Sequence, residues 1–367
     1  MSSTEKIFTE ETCGNGVKIE FEMLGTEWFP AGEKPTYHGW PTLTNVGGDK
    51  LAVVCSGGRE AHICPFGKVF LYESTDGGRS WSGPRTLVDG PLDDRDAGLV
   101  VTPRGTWLVN YFTSTHFASR YTQETTPAHW KEREDVITIS LLKREHGFFL
   151  LRSEDRGRTW SKKYPIAVNN VHGPAVLQDG SLLYCGRGRS GNCLLSSTFS
   201  DTFVVLRSAD DGLSWQEVFS VWGKFCEHPI SQWHELHTVQ APDGTILTQI
   251  RRADGTWQIE SADGGKSWGE PRHVCEGFPS HLLVLPDGRI LMSYGYRKEN
   301  YGNRCRISSD NGKSWSEPMI LSAGSPTFDL GYPSTARLSD GTLVTVWYEY
   351  KEDLKLAQLR CARWKLK

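Results

Sequence analysis

Five octapeptides of one pattern, STDGGRSW, SEDRGRTW, SADDGLSW, SADGGKSW and SSDNGKSW, begin at Ser74, Ser153, Ser208, Ser261 and Ser308. A unit that returns at intervals of 79, 55, 53 and 47 residues is one structural element repeated, and it constrains the fold more than any other feature of the chain. Each copy reads as a tight turn. The Asp carboxylate caps backbone N–H groups, the Gly supplies a left-handed dihedral, and the Trp packs the turn against its sheet. Apolar strands such as VFLYES, TFVVLRS and CRISS run into the octapeptides, and strand pairs such as HLLVLPDGRILMSYGYR precede them. The repeating unit is therefore a small antiparallel sheet.

Six segments supply an inner hairpin each: PTLTNVGGDKLAVVCSGG, AGLVVTPRGTWLVNYF, PAVLQDGSLLYCGRG, HTVQAPDGTILTQIR, HLLVLPDGRILMSYG and STARLSDGTLVTVWYE. Six small sheets cannot each bury both faces alone, and stacking them radially solves this, so the chain is predicted to be an all-β, six-bladed β-propeller. The last sheet has no octapeptide. We expect Val17–Met23 (VKIEFEM) to complete it beside the C-terminal LAQLRCARWKL, closing residues 1–367 into a single domain joined at its termini.

Composition narrows the function classes. A net charge of -3, from 41 basic and 44 acidic residues without long runs of either sign, gives no reason to expect nucleic acid or a charged membrane surface as partner. No apolar stretch approaches the roughly 20 residues of a membrane span, and the start MSSTEKIFTEETCGNG lacks the apolar core of a secretory signal. The expected compartment is the cytoplasm, or the exterior if a signal peptide has been removed. Nine Cys without a CxxC pair are read as reduced core thiols. No cofactor or metal is expected, and the sequence sets no oligomeric state.

The octapeptides resemble the Asp boxes, or BNR repeats, of sialidases, and the resemblance runs from about Thr36 to Trp347. It implies a propeller whose active residues gather where the innermost strands begin. Sialidases of this type use a Tyr nucleophile activated by a Glu, an Asp general acid, and three Arg that clamp the substrate carboxylate. Glu235 in HELHTVQAPDGTILTQIR, with Arg251 sixteen residues on, is similar to the segment carrying the activating Glu and the second Arg. GYPSTARL resembles the nucleophile segment and places Tyr332 in that role. Arg297 in SYGYRKENYGNRCRISSDNG stands where the third Arg would be, with Arg304 competing. Two elements depart from the pattern. The Arg-Ile-Pro motif aligns with HGWPTLT, so Gly39 replaces the first Arg. After Arg59, GGREAHICPFG offers Glu60 or His62 where the general acid Asp would fall.

Further candidates come from their position at inner-strand starts. Arg95 and Asp96 of DDRDAG, with Arg59, His237 and His281, are expected to contact substrate. One insertion, Thr113–Asp135, is expected to form a cleft wall or an oligomer contact, and in a second, Gly186–Asp201, Arg187 and Arg189 are expected to meet an acidic sugar. The expected function is a glycoside hydrolase of sialidase-like fold acting on an acidic or deoxy sugar, and a poor sialidase. A polysaccharide lyase acting on uronates and a non-catalytic glycan-binding propeller are the alternatives.

Overall fold

The structure, a computed structural model, describes residues 11–12, 18–32, 34, 36–120, 126–189 and 199–367. Six antiparallel sheets follow one another along the chain, each ordered from its innermost strand outwards. Blade one contains Tyr37–Gly47, Lys50–Arg59, Lys68–Ser74 and Arg85–Val88. The innermost strands of blades two, four, five and six are Asp93–Val101, Leu236–Gln240, Ser280–Val284 and Gly331–Arg337. In blade three the innermost position is split between Val168–Asn169 and Ala175–Val176. This is the predicted six-bladed propeller.

The middle strands of the blades are apolar on both faces because each sheet is sandwiched between two others. In LAVVC, Leu51, Val53 and Cys55 pack towards Val344 and Val346 of blade six, whereas Ala52 and Val54 pack towards Leu99 and Val109 of blade two. Equivalent clusters fill the other junctions, so the hydrophobic core is a ring of six interfaces.

All five octapeptides join the third strand of a blade to its fourth. Their first Ser ends the third strand in every case. The Asp carboxylate accepts from the N–H and hydroxyl of the residue four on, as Asp155 does from Thr159, at 2.8 and 2.6 Å. Those bonds hold Asp155, Asp210 and Asp263 at a pKa of about 2. Blade six lacks the turn because its fourth strand is the N-terminal Phe21–Trp28, paired with Leu356–Leu366.

Three expectations need correction. The closing strand is Phe21–Trp28 rather than Val17–Met23, because its register is set by pairing with the distant C-terminal strand; Val17 lies outside the described residues. The first insertion carries helices at His116–Arg120 and Ala128–Asp135, and a third follows it at Ile139–Glu145, none of which the sequence pattern announced. Six described Cys are buried, but Cys226 is exposed; Cys13 and Cys193 fall outside the described residues. No helix is long and apolar enough to cross a membrane.

Candidate active site

Three blades present a side chain by the same backbone device. Between Gly39 and Thr42, Arg95 and Gly98, and Gly331 and Ser334, the innermost strand spends three residues where its neighbour spends two. These are β-bulges, which re-aim a side chain at the start of a strand. Trp40, Asp96 and Tyr332 occupy them with φ of 55°, 44° and 51°, a left-handed conformation that non-glycine residues seldom adopt.

Tyr332, Glu235 and Arg251 meet, drawn from blades six and four. The Tyr332 hydroxyl donates to Glu235. Arg251 Nη1 donates to both Glu235 oxygens at 3.0 Å and to the Tyr332 oxygen at 2.9 Å. Burial pushes the Glu235 carboxyl up, but Arg251 and the Tyr332 hydroxyl outweigh it and hold the group ionised. Burial and the Glu235 charge push the Tyr332 phenol well above its ordinary value. The phenol is thus protonated at rest and already bonded to a base. Arg297 lies 5.8 Å from the Tyr332 ring, with its guanidinium donating to the Leu330 carbonyl.

A cavity of about 390 Å³ opens beside this group, lined by Arg95, Asp96, His62, Asn170, Arg187 and Glu235 among others. Asp96 Oδ1 is buried without a hydrogen bond, and its nearest cation is Arg95 Nε at 3.9 Å. Burial, partly offset by Arg95 and reinforced by Glu235, raises its carboxyl to a pKa of about 6. His62 packs edge-on against Trp40 beside Tyr37, whose hydroxyl is 2.9 Å from its Nδ1, and gives its Nδ1 proton to Asp329 at 2.9 Å. Burial, together with Arg95 and Arg59, keeps the imidazole below its ordinary value against the pull of Asp329. Ser114 and His116 of the first insertion also line the cavity, so its described part contributes to the cleft wall. Residues 121–125 and 190–198 of the two insertions lie outside the described residues.

Several sequence candidates stand elsewhere. Arg59 is fully buried and paired with Asp93, with further bonds to the Ala61 and His62 carbonyls, so none of its guanidinium faces the cavity. Glu60 turns outward to His129 and Trp130, which rest on the Glu60–Phe66 loop. Arg304 is on the third strand of blade five, bonded to the Ser322 carbonyl and stacked on Tyr296. His237 and His281 stack 4.3 Å apart deeper in the channel, beside His172, and line a different cavity. Their Nδ1 atoms accept backbone N–H groups of Leu282 and Thr335. No metal-binding group of His, Cys, Asp and Glu occurs among the described residues.

Asp329 is a residue that the sequence reading missed. It accepts from Tyr37, Tyr348 and His62, and these bonds overcome burial to keep it ionised. The available signal was an acid three residues ahead of Tyr332. Its place matters because a Cβ on Gly39 would crowd the Tyr37 ring at 3.2 Å and touch the Tyr348 ring at 3.8 Å. The position of the first clamp arginine is filled by aromatics that lead to a carboxylate.

The fold is that of a sialidase-like β-propeller built of BNR repeats. The chain belongs to the BNR repeat-like domain family, which it matches over residues 121–345. No protein of curated function matches it in sequence. Among solved structures, a protein of unknown function from Dyadobacter fermentans DSM 18053 is similar at 19% identity and a TM-score of 0.73, over 95% of this chain and 99% of that one. The Hadza microbial sialidase Hz136 is similar at 16% identity and 0.63, over 90% of this chain and 65% of that one. The intramolecular trans-sialidase from Ruminococcus gnavus is similar at 14% identity and 0.60, over 94% and 97%. At these identities the likeness is one of fold.

Proposed function

We propose that the protein is a glycoside hydrolase with a tyrosine nucleophile. The observation that carries this reading is the closed triangle of Tyr332, Glu235 and Arg251. In the step it supports, the Tyr332 oxygen attacks the anomeric carbon while its proton passes to Glu235 and the glycosidic C–O bond breaks. Arg251 then stabilises the charge that develops on the phenol oxygen. Water later cleaves the tyrosyl–sugar bond, and the proton held by Glu235 returns to the phenol.

The sugar is acidic or deoxy and is not a sialoside. Asp329 and two tyrosines fill the quarter where the first clamp arginine would stand, so a carboxylate there meets negative charge. An acidic group is better served by Arg95, and a deoxy face by Phe112, Ile63 and Val171 on the same cavity. Aryl glycosides of neutral, deoxy and uronic sugars, assayed beside an aryl sialoside, test this. We expect turnover of a non-sialoside and a loss of roughly 10³-fold or more in Y332F, with E235Q close behind. Efficient release from the sialoside alone would overturn the substrate class, and an unimpaired Y332F the nucleophile.

A second reading is favoured by the His62–Asp329 pair. A histidine whose Nδ1 is held by a carboxylate keeps Nε2 free as a base, as abstraction of the proton beside a uronate carboxylate requires. An unsaturated product absorbing in the ultraviolet, lost in H62A and retained in Y332F, distinguishes this lyase activity.

A further inference from the structure

We propose that Asp96, from blade two, is the general acid that protonates the departing glycosidic oxygen. This rests on the hydrolase reading, whose mechanism needs such a group, and the Glu60–Phe66 loop does not provide one. Glu60 is held outside the cavity by His129 and Trp130. His62 spends its one imidazole proton on Asp329, so its free nitrogen has none to give. Asp93 is locked to Arg59, Asp94 accepts from the Gly90 N–H, and Glu235 serves the nucleophile.

Asp96 differs from all of these. It sits on the same type of bulge that presents Tyr332, lines the cavity, and has a buried oxygen without any hydrogen bond. A carboxyl without donors on it is more stable with its proton than without, and a glycosidic oxygen in the cavity is the acceptor that such a proton lacks. The charged and titratable groups around it are Arg95 and Asp93 on its own strand, Arg59 and His62 from blade one, Glu235 from blade four and Tyr332 from blade six. Arg95 and Arg59 favour ionisation, while Glu235 and Asp93 oppose it. The position of its pKa, about 6, is consistent with a proton that is held at rest in acidic solution and released in the reaction.

The step balances within the site. The Asp96 O–H proton moves to the leaving oxygen as the C–O bond breaks and Tyr332 bonds to the anomeric carbon. The resulting Asp96 carboxylate then takes a proton from the water that attacks the tyrosyl–sugar bond, which restores the acid.

Two measurements on the full-length protein test the assignment. In the first, wild type, D96N and Y332F are compared on two aryl glycosides of the best sugar in the panel, one with a 2,4-dinitrophenyl and one with a phenyl leaving group. We expect D96N to lose about 10²-fold or more on the phenyl glycoside and less than about 10-fold on the dinitrophenyl one, which departs without protonation. Azide should restore D96N, and Y332F should fail on both. Equal losses of D96N on both substrates overturn the acid role and leave the nucleophile standing, whereas an active Y332F overturns the hydrolase reading itself. The second measurement needs no substrate. Carbon-13 NMR of labelled Asp carboxyls should contain one resonance that titrates near pH 6 and is absent from D96N; a midpoint near 4 overturns the assignment.

Discussion

Trp40, Asp96 and Tyr332 each hold a left-handed backbone conformation that costs a non-glycine residue roughly 1–3 kcal/mol, and all three are at the mouth of the channel. Nothing in the spacing of the chain announces such a bulge, although Tyr332 and Trp40 each precede a Pro. The Glu235-to-Arg251 segment was legible because both residues belong to one hairpin, with Arg251 N donating to the Glu235 carbonyl. Asp329 was not legible as a partner of Tyr37, since that contact spans 292 positions and depends on ring closure. One buried carboxyl outside the chemistry gives a pH-dependent prediction. Asp94 is raised to a pKa of about 8 by burial, against the Gly90 N–H and with the Asp93 charge adding to the effect. A carboxyl raised in the folded state contributes stability that is full below its ordinary value near 4 and is lost as pH rises through 8. The D94N variant carries no such charge and can still accept from Gly90. Its melting temperature relative to wild type should therefore be higher at pH 9 than at pH 5, by roughly 2 °C or more. An unchanged difference would show that Asp94 ionises without cost.

At the scale of elements, the octapeptide turn is the part of the fold written most fully in local sequence. Two consecutive residues at its centre are left-handed in every copy, Asn311 and Gly312 among them, at φ of 59° and 84°. The second is always Gly, and the reason is contact as well as dihedral. A Cβ on Gly312 would lie 2.5 Å from Leu247, and one on Gly212 would lie 2.7 Å from Leu108, each on the preceding blade. The turn thus seals a junction between sheets while it reverses the chain. G312A should destabilise the protein by about 1–3 kcal/mol, measured by urea unfolding, because it adds overpacking to backbone strain. A loss near zero would mean that Leu247 moves aside freely. The innermost hairpins were equally legible from their alternation and their DG turns. The outermost strand of blade six was misplaced by several residues because local pattern favours VKIEFEM, whereas its observed register includes a bulge at Arg363/Trp364 and a Phe21–Trp364 ring contact. Those contacts join opposite ends of the chain, which local periodicity does not encode.

The whole molecule is a ring in which every blade is packed by two neighbours, and only one blade is assembled from both ends of the chain. That blade decides whether the ring is closed. Trp364 is completely buried between blades five and six, bonded through its indole N–H to Thr345, and its ring meets Phe21 edge-on at 5.9 Å. Replacing it with Ala removes a core aromatic and loosens the strand that the N-terminal segment pairs with, at a cost of roughly 3–5 kcal/mol. Phe21 acts on the same junction from the other end of the chain, so the double variant should show a coupling of about 0.5–1.5 kcal/mol. If closure couples the blades, the weakened ring opens as a unit. Thermal unfolding of W364A should then remain one transition at a lower temperature, with tryptophan fluorescence and far-ultraviolet circular dichroism coincident, as in the wild type. An early fluorescence step that precedes the loss of strand signal would mean that blade six detaches alone. In that case the site would lose Tyr332 and Asp329 together, while Glu235 and Asp96 stayed in place on blades four and two.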